Sequence, residues 1–585
     1  MRMREDISKA GNLYIHFLAI VIITVLCCIH IRAMDSIFII NDEFGYWAHA
    51  VSAVGYDWKE LISTTPYYTW GYSIWLIPII ALLPTPLAWY KAAIFLNVLF
   101  LVLSYFLCYQ SGRKLFREAD ERLVALVSFI VIIYPSNIVY AQASWTESLS
   151  YMLVWLETYL IVCLDEKFSN KYFVSATLVL VYAYAVHNRS IGVVLAGLVA
   201  LCLVLIKHKK KFWHFLILCM IMMAGYKGID LVKNHQIQAL WSSSQISDMN
   251  NVGLNTATIT NYSSRLFEQT GYFFISLFGK YIYLLIGTGL TLPIVACKIL
   301  RDFWGNIKGR DWWQNYCVGK IWILLVTAFM YGICVIGMNR WEFRPDLVVY
   351  SRYMENALGP VLFLAIMYVI IYIPETRIGL LISGCSLFIG IGPVYYWITH
   401  ADGVFNTICS PVIGAFYQAV HCNSMFTAFI LLVVVLVVAF SVLLGVTYCK
   451  KEALRARVVA ACFALTYCVV GYYGGKYALG IRDVVEWKTA SLYDAFVEDL
   501  DDAEIYYVKN DAVDAMCMNP KYFQFLIPNK TIHVVTSSDL EEFPYENVFI
   551  MVEPDDKMTI EYFEKDVGLE LIDGLFFKVY VLEKN

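Results

Sequence analysis

The sequence predicts an α-helical, polytopic membrane protein with a small α/β domain at its C-terminus. Three observations predict it. Hydrophobic residues make up 59% of the 585-residue chain and charged residues 16%, whereas an ordinary soluble domain carries about 25% charged residues. Apolar runs of about 20 residues recur up to position 475, each long enough to cross about 30 Å of hydrocarbon. After Gly474-Gly475 the pattern changes: residues 476–585 hold many acids and no run of membrane length. The net charge of −4 says little about partners, because charge is sorted by position. Membrane lipids are expected around the chain, and no nucleic acid.

Hydropathy places thirteen spans, at about 13–34, 89–110, 121–141, 147–164, 172–187, 190–206, 212–231, 271–299, 319–338, 356–373, 377–398, 425–448 and 457–474. The first run is too long for a signal-peptide core and no small-residue cleavage pattern follows it, so it reads as a retained span. A further run, Gly71 to Leu87, is short and broken by Pro78, Pro84 and Pro86; it reads as re-entrant or interfacial. The sixteen cysteines are scattered, mostly one per span, with no CxxC pattern. Only Cys409 and Cys422 share an outer loop. Two buried free thiols are expected there, with a disulfide as the alternative in an oxidising compartment.

If Gly71–Leu87 does not cross, the tight basic clusters Arg113–Arg122, Lys207–Lys211, Lys298–Lys320 and Lys450–Arg457 all fall on the side of the N-terminus, as positive-inside sorting requires. If it crossed, Lys207–Lys211 would be translocated. The N-terminus is therefore expected in the cytoplasm and the C-terminal domain outside. Unpaired cysteines and the lack of a eukaryotic retention signal point to a bacterial plasma membrane. In the C-terminal part, Glu504–Lys509, Thr531–Val535, Val548–Val552 and Leu575–Leu582 read as strands with helical stretches between the first three, the order of a small α/β domain with a largely parallel sheet. It lacks a Gly-rich phosphate loop, which argues against a nucleotide domain. The organisation is thus a membrane domain, 1–475, with a first outer loop at 35–88, and an extracytoplasmic domain, 476–585.

That first loop carries Asn41-Asp42-Glu43-Phe44-Gly45-Tyr46-Trp47-Ala48-His49. Two adjacent carboxylates open an aromatic-rich, helix-like segment. Asp42, Tyr46 and His49 fall at i, i+4 and i+7, on one side of a helix. The aromatics that follow, among them Tyr56, Trp58, Tyr67, Tyr68 and Tyr72, suit a segment at headgroup level. Later outer loops supply Gln142, Trp145 and Glu147; His187 and Arg189; Asn339–Asp346, then Ser351-Arg352-Tyr353; and His400, Asp402 and His421. Many short loops each offer one or two polar groups to a common surface.

Asp42-Glu43-x-x-Tyr46-x-Ala48 after the first span resembles the first-loop signature of the GT-C glycosyltransferases. The likeness is greatest to the bacterial branch related to the aminoarabinose lipid A transferase and the protein O-mannosyltransferases. Gly71-Tyr72-Ser73 with Pro78, then Trp89-Tyr90-Lys91, Asn97 and Arg113, follow that family's course into its second span. Tyr134-Pro135 with Glu147, and Arg352-Tyr353, are looser matches. The resemblance covers the whole chain in order. It implies a GT-C type fold and a transfer, on the outer face, of a sugar from a polyprenyl-phosphate donor to a glycan, lipid or protein acceptor. It also implies that Asp42 acts as base toward the acceptor hydroxyl. One departure is clear: aminoarabinose-transferase relatives have Lys-Pro-Pro where this chain has Thr65-Pro66-Tyr67-Tyr68. The donor-phosphate contact of that lysine must be made here by another residue, or not at all.

The chemistry agrees. A sugar hydroxyl is a poor nucleophile and needs a carboxylate within hydrogen-bond reach as its proton leaves. The lipid phosphate that departs needs arginine, lysine or a metal. A lone carboxylate suits an inverting transfer. The expected set is Asp42 as base, Glu43 orienting the acceptor or binding a cation, and Glu147 as a further carboxylate. Arg352, Tyr353, Arg189, Arg344 and Lys91 are expected at the donor phosphate, with Arg344, Arg352 and Tyr353 clustered; Tyr46 and His49 face the acceptor. A divalent cation is the one cofactor left open. Blander roles exist for each: a helix cap for Asp42, the helix dipole for Glu147, snorkelling for the arginines, an interfacial anchor for Lys91. His187, His400 and His421 lack ligand spacing. Two rivals remain. A polymerase or ligase of lipid-linked glycans usually concentrates function in one large late outer loop. A flippase or transporter would place charge midway along spans, whereas these acids and arginines stand at span ends.

Overall fold

The computed structural model describes residues 2–582 except 35, 38–39, 242–263, 265–267, 269, 309–315, 340–343, 401–404, 415–424, 497–503, 511, 513–516, 537–547, 568–571 and 574–577. Residues 340–343 of the fifth loop, Asp402, His421 and Cys422 lie outside the described residues; Cys409 is a buried free thiol.

A long first helix, α1 (Arg2–Cys28), is followed by three short ones: α2 (Ile40–Val54), α3 (Lys59–Ile62) and α4 (Ser73–Leu82). α4 has ten residues, about 15 Å at 1.5 Å per residue, half of what a bilayer requires. α4 alone is too short to cross. It ends because Pro84 disfavours helix at Leu83, which is extended. α5 (Pro86–Leu115) then starts with proline at its first position, and Thr85 caps it by accepting from the Ala88 N–H at 3.3 Å.

Next come α6 (Glu121–Ile132) and α7 (Pro135–Ala141), expected as one span but bent by 57°. Pro135 has no N–H to give and forces Tyr134 out of the helix. α8 (Glu147–Glu166), α9 (Asn170–Val186), α10 (Ile191–Lys207) and α11 (Phe212–Leu240) follow. The expected span 271–299 is two helices, α12 (Thr270–Gly287) and α13 (Leu292–Lys308). They part where Gly289 and Leu290 take φ of +57° and +65°. The Leu290 carbonyl freed by that break accepts from Ser383 Oγ at 2.7 Å.

The chain continues through α14 (Cys317–Gly337), the short α15 (Arg352–Glu355), α16 (Leu358–Ile371), α17 (Ile373–His400), α18 (Met425–Val446) and α19 (Glu452–Phe496). The segment Pro345–Glu355, which ends in α15, meets α16 at 83°. Among the described residues, ten helices are long and apolar enough to cross a membrane, or up to twelve if each bent pair is one span. The chain is an integral membrane protein of the expected class, with ten to twelve described helices of that length beside the thirteen spans expected. The shortfall includes α9, whose 17 residues reach about 25 Å.

The C-terminal part contains β1 (Glu504–Lys509), α20 (Met518–Leu526), β2 (Ile532–Thr536), β3 (Val548–Val552), α21 (Lys557–Glu561), β4 (Ile572–Asp573) and β5 (Lys578–Leu582). The strands form one sheet in the order β2-β1-β3-β5-β4. β1 lies parallel to β2 and β3, while β5 is antiparallel to β3 and β4. The sheet is thus mixed rather than largely parallel, because the chain returns beside β3 as a hairpin. α19 runs unbroken through Gly474-Gly475 to Phe496. One buried apolar cluster joins α2 and the start of α5 to Phe523, Phe525 and Ile527, so the first loop and the C-terminal sheet region share a core.

Candidate active site

Asp42, Tyr46 and His49 line one face of α2, and all three hold Tyr68. The Tyr68 hydroxyl donates to Asp42 Oδ1 at 2.6 Å. Its ring meets Tyr46 edge-on, with centroids 5.4 Å apart. Its backbone oxygen accepts from His49 Nε2 at 2.8 Å. Burial pushes His49 down to about 4, so the ring is neutral and Nε2 carries the hydrogen. Burial, with the Asp42 charge beside it, pushes the Tyr68 phenol well above its ordinary value, so it serves as a donor. Gly45 makes the approach possible: a Cβ there would lie 2.3 Å from a carbon of the Tyr68 ring. Tyr46 and His49, expected to face the acceptor, are buried against Tyr68.

The segment carrying Tyr68 is pinned to the end of α9. Thr69 Oγ1 donates to the Val186 oxygen at 2.7 Å and the Gly71 N–H to the Ala185 oxygen at 2.9 Å. A Cβ on Gly71 would lie 2.5 Å from that oxygen, so only glycine permits the backbones to meet. Three residues past Val186 stands Arg189, which enters the same site.

Asp42 Oδ2 accepts from Arg352 Nη1 at 2.5 Å, and Arg352 Nε donates to Glu147 Oε1 at 2.6 Å. The same Glu147 oxygen accepts from Arg189 Nη2 at 2.6 Å. The Arg352 guanidinium lies 3.7 Å over the Trp145 ring and that of Arg189 lies 4.7 Å over Tyr353. Two carboxylates and two guanidiniums thus balance in one chain, the arrangement a buried charge requires. Glu147 opens α8 and Arg352 opens α15, so residues 205 positions apart meet at the ends of helices. Glu147, Arg189 and Arg352 are buried, whereas the Asp42 side chain keeps 21% exposure. Asp42 is the open end. Arg189 Nη1 and Arg352 Nη2 are buried with no hydrogen-bond partner among the described residues.

Other expected members sit elsewhere. Glu43 is adjacent to Asp42 in the chain but fully buried. Its Oε1 accepts from the Tyr90 hydroxyl at 2.8 Å and from both the backbone N–H and the hydroxyl of Ser144 at 2.7 Å. It ties α2 to α5 and to the turn before α8. Arg344 pairs with its neighbour Asp346 at 2.7 Å and lies against Cys409 Sγ at 3.6 Å. Lys91 is half-buried early in α5, and the arginine–carboxylate chain does not run through it. His187 packs near Tyr353 and His400 stacks on Tyr396. Among the described residues no group of three or more His, Cys, Asp or Glu is placed to hold a metal ion.

Sequence reasoning missed three features. Tyr68 lies in the stretch Thr65-Pro66-Tyr67-Tyr68, where by sequence it reads only as an interfacial aromatic. Glu355, on α15 one turn after Arg352, is buried in a cage of hydroxyls. It accepts from Ser136 at 2.5 Å, Tyr283 at 2.6 Å, Tyr140 at 2.7 Å and Tyr134 at 3.2 Å. The cage fastens the break between α6 and α7 to the break between α15 and α16, and so sets where Arg352 stands. Charge also occurs midway along spans, contrary to expectation. Glu157 is buried in α8 with neither oxygen partnered among the described residues. Lys280, buried in α12, donates to the Leu347 oxygen at 2.8 Å.

No family model and no curated protein matches this chain. Solved structures do. ArnT from Cupriavidus metallidurans bound to undecaprenyl phosphate superposes with a TM-score of 0.54 at 13% identity, covering 96% of this chain and 97% of that one. The apo state of the same protein gives 0.54 and 13%, with 98% of each chain covered. An apo oligosaccharyltransferase from Archaeoglobus fulgidus reaches only 0.41 at 9% identity, over 88% of this chain and 64% of that one, and adds nothing to the assignment. The chain has the fold of ArnT from end to end.

Proposed function

We propose that the protein is a glycosyltransferase that takes a sugar from a polyprenyl-phosphate carrier and passes it, with inversion, to a hydroxyl of a lipid, protein or cell-envelope polymer. The observation that carries the proposal is the chain Tyr68–Asp42–Arg352–Glu147–Arg189. Its open end is a carboxylate and its buried arginines hold nitrogens without partners. The reading sets this end of the bundle, with the C-terminal sheet beside it, on the outer face of a plasma membrane.

Each group then has a task. Asp42 takes the acceptor proton as the acceptor oxygen bonds to the anomeric carbon. The bond from that carbon to the phosphate oxygen breaks on the opposite face, and the polyprenyl phosphate leaves as an anion. Arg189 Nη1 and Arg352 Nη2 take up its charge, in surroundings where such hydrogen bonds are strong because water is excluded. Glu147 keeps both guanidiniums aimed, and Tyr68 holds the Asp42 carboxylate in orientation. Arg352 touches Asp42 and, in this reading, the phosphate. A bound donor would draw its charge away from Asp42 and leave the carboxylate a stronger base when a sugar is in place.

The test uses purified wild type and Asp42→Asn, each mixed with a polyprenyl-phosphate-sugar pool and a crude membrane acceptor fraction. Mass spectrometry follows which donor loses its sugar. Loss of one donor with wild type alone is expected. Equal loss with Asp42→Asn removes Asp42 from the role of base. No loss with either protein sinks the transferase reading in favour of a lipid-linked chain donor or of transport.

A further inference from the structure

We propose that the C-terminal sheet region is a working part of the transfer site, and that Lys521 is a positioning residue acting on Asp42 through Asn41. The inference rests on the transferase reading above. Lys521 lies on α20 and is fully buried. Its ammonium donates to Asn41 Oδ1 at 2.9 Å and stands 5.9 Å over the Phe44 ring. Asn41 immediately precedes Asp42 at the start of α2. Burying an ammonium is unfavourable unless it is well satisfied, and the start of a helix carries a partial positive charge of its own. Packing alone would be served as well by methionine. The cost is consistent with a job that needs this donor at this place.

The surrounding contacts point the same way. The Phe525 ring meets Trp47, Trp58 and Tyr90, with centroids 5.4, 6.4 and 6.1 Å away, and Tyr90 is the donor to Glu43. α20 therefore reaches both neighbours of Asp42: Asn41 directly, and Glu43 through Tyr90. A row of polar ties holds the rest of the loop to the same region. Trp58 Nε1 donates to the Pro528 oxygen at 3.1 Å, Thr531 Oγ1 to the Asp57 oxygen at 3.3 Å, and the Val534 N–H to Glu60 at 2.6 Å. Asp42 thus rests on a helix clamped from behind by a region more than 450 residues later in the chain.

The experiment compares full-length wild type, Lys521→Met, Lys521→Arg, Asn41→Ala and the Lys521→Met/Asn41→Ala pair. It measures turnover, the donor KM and thermal unfolding. Lys521→Met should lower turnover about tenfold or more with the donor KM within about twofold. Lys521→Arg should recover part of the loss, and the double variant should lose less than the two single losses combined, because the singles share the Lys521–Asn41 contact. If Lys521→Met unfolds, Asn41→Ala alone carries the test through the same turnover loss. Wild-type turnover in folded Lys521→Met or Asn41→Ala overturns the proposal while leaving Asp42 in its role. Absence of Asp42-dependent transfer in wild type overturns the transferase reading, and this inference with it.

Discussion

Two buried carboxylates flank α15 and meet opposite fates. Glu147 receives Arg352, the first residue of α15, and that network ends in an open Asp42 and two unpartnered arginine nitrogens. Glu355, the last residue of the same short helix, is surrounded by four hydroxyls from three other segments. One network is incomplete by itself; the other is closed. A closed buried network is structural, since every hydrogen bond it makes offsets the cost of burying it. An incomplete one keeps donors and charge for something that arrives. The difference separates site from scaffold within a single turn of helix.

The sharpest way to break this comparison is Asp42→Asn. It keeps the shape and removes the proposed base, and should lower transfer by about 10²–10⁴-fold in a protein that still folds, with some loss of thermal stability because Arg352 loses a charged partner, as read in the donor-loss assay and by thermal unfolding. Next comes Arg352→Lys. Lysine keeps the charge but cannot donate to two carboxylates and a phosphate in fixed geometry. Donor affinity should fall about tenfold, worth about 1.4 kcal/mol, as titration with the donor would show; unchanged affinity returns Arg352 to a purely structural role. Glu355→Leu should act in the opposite sense. Hydroxyls left unpaired cost about 1–3 kcal/mol each, so unfolding temperature should drop sharply while the folded fraction still binds donor. Normal stability with lost donor binding would move Glu355 into the site.

A smaller effect concerns the tie between α3 and β2. His533 Nδ1 and Glu60 Oε1 lie 2.7 Å apart. The Glu60 bond holds His533 above its ordinary 6.5, and Asp57 and Glu504 act in the same direction; Tyr506 packs on the ring. Burial works to raise Glu60, but His533 and the Val534 N–H outweigh it and hold the carboxyl below its ordinary 4.5. The histidine contribution is present below about 6.5 and lost as pH rises through its raised value. The glutamate contribution is present above about 4.5 and lost as pH falls through its lowered value. Protection from hydrogen exchange at residues 58–62, taken relative to the intrinsic rate at each pH, should therefore be highest between those limits, and Glu60→Gln should flatten the profile. The smallest effect is expected at Glu157, which belongs to neither network: Glu157→Leu should leave transfer unchanged and stability equal or higher, since it removes a buried polar group without a partner among the described residues. Lost transfer in that variant would revive a role for charge midway through the bundle.

What the sequence determined by itself is local. A helix that must cross hydrocarbon shows its length and apolarity in consecutive residues, so the class and most spans were legible. So were the prolines that end α4 and break α6 from α7, since proline acts on its own neighbours. Asp42, Glu147, Arg189 and Arg352 were legible as charges at helix ends, Asp42 most clearly through the motif around it. The tertiary structure decided everything that depends on distant partners. It gave Asp42 and Glu43, adjacent in the chain and about 100° apart around α2, different partners, Arg352 for one and Tyr90 with Ser144 for the other. It drew Tyr46 and His49 onto Tyr68, left Arg344 with Asp346, caged Glu355 and brought Lys521 to Asn41 across 480 residues. Spacing along a helix tells which side chains share a face; what that face meets is set by segments hundreds of residues away, where no local period reaches.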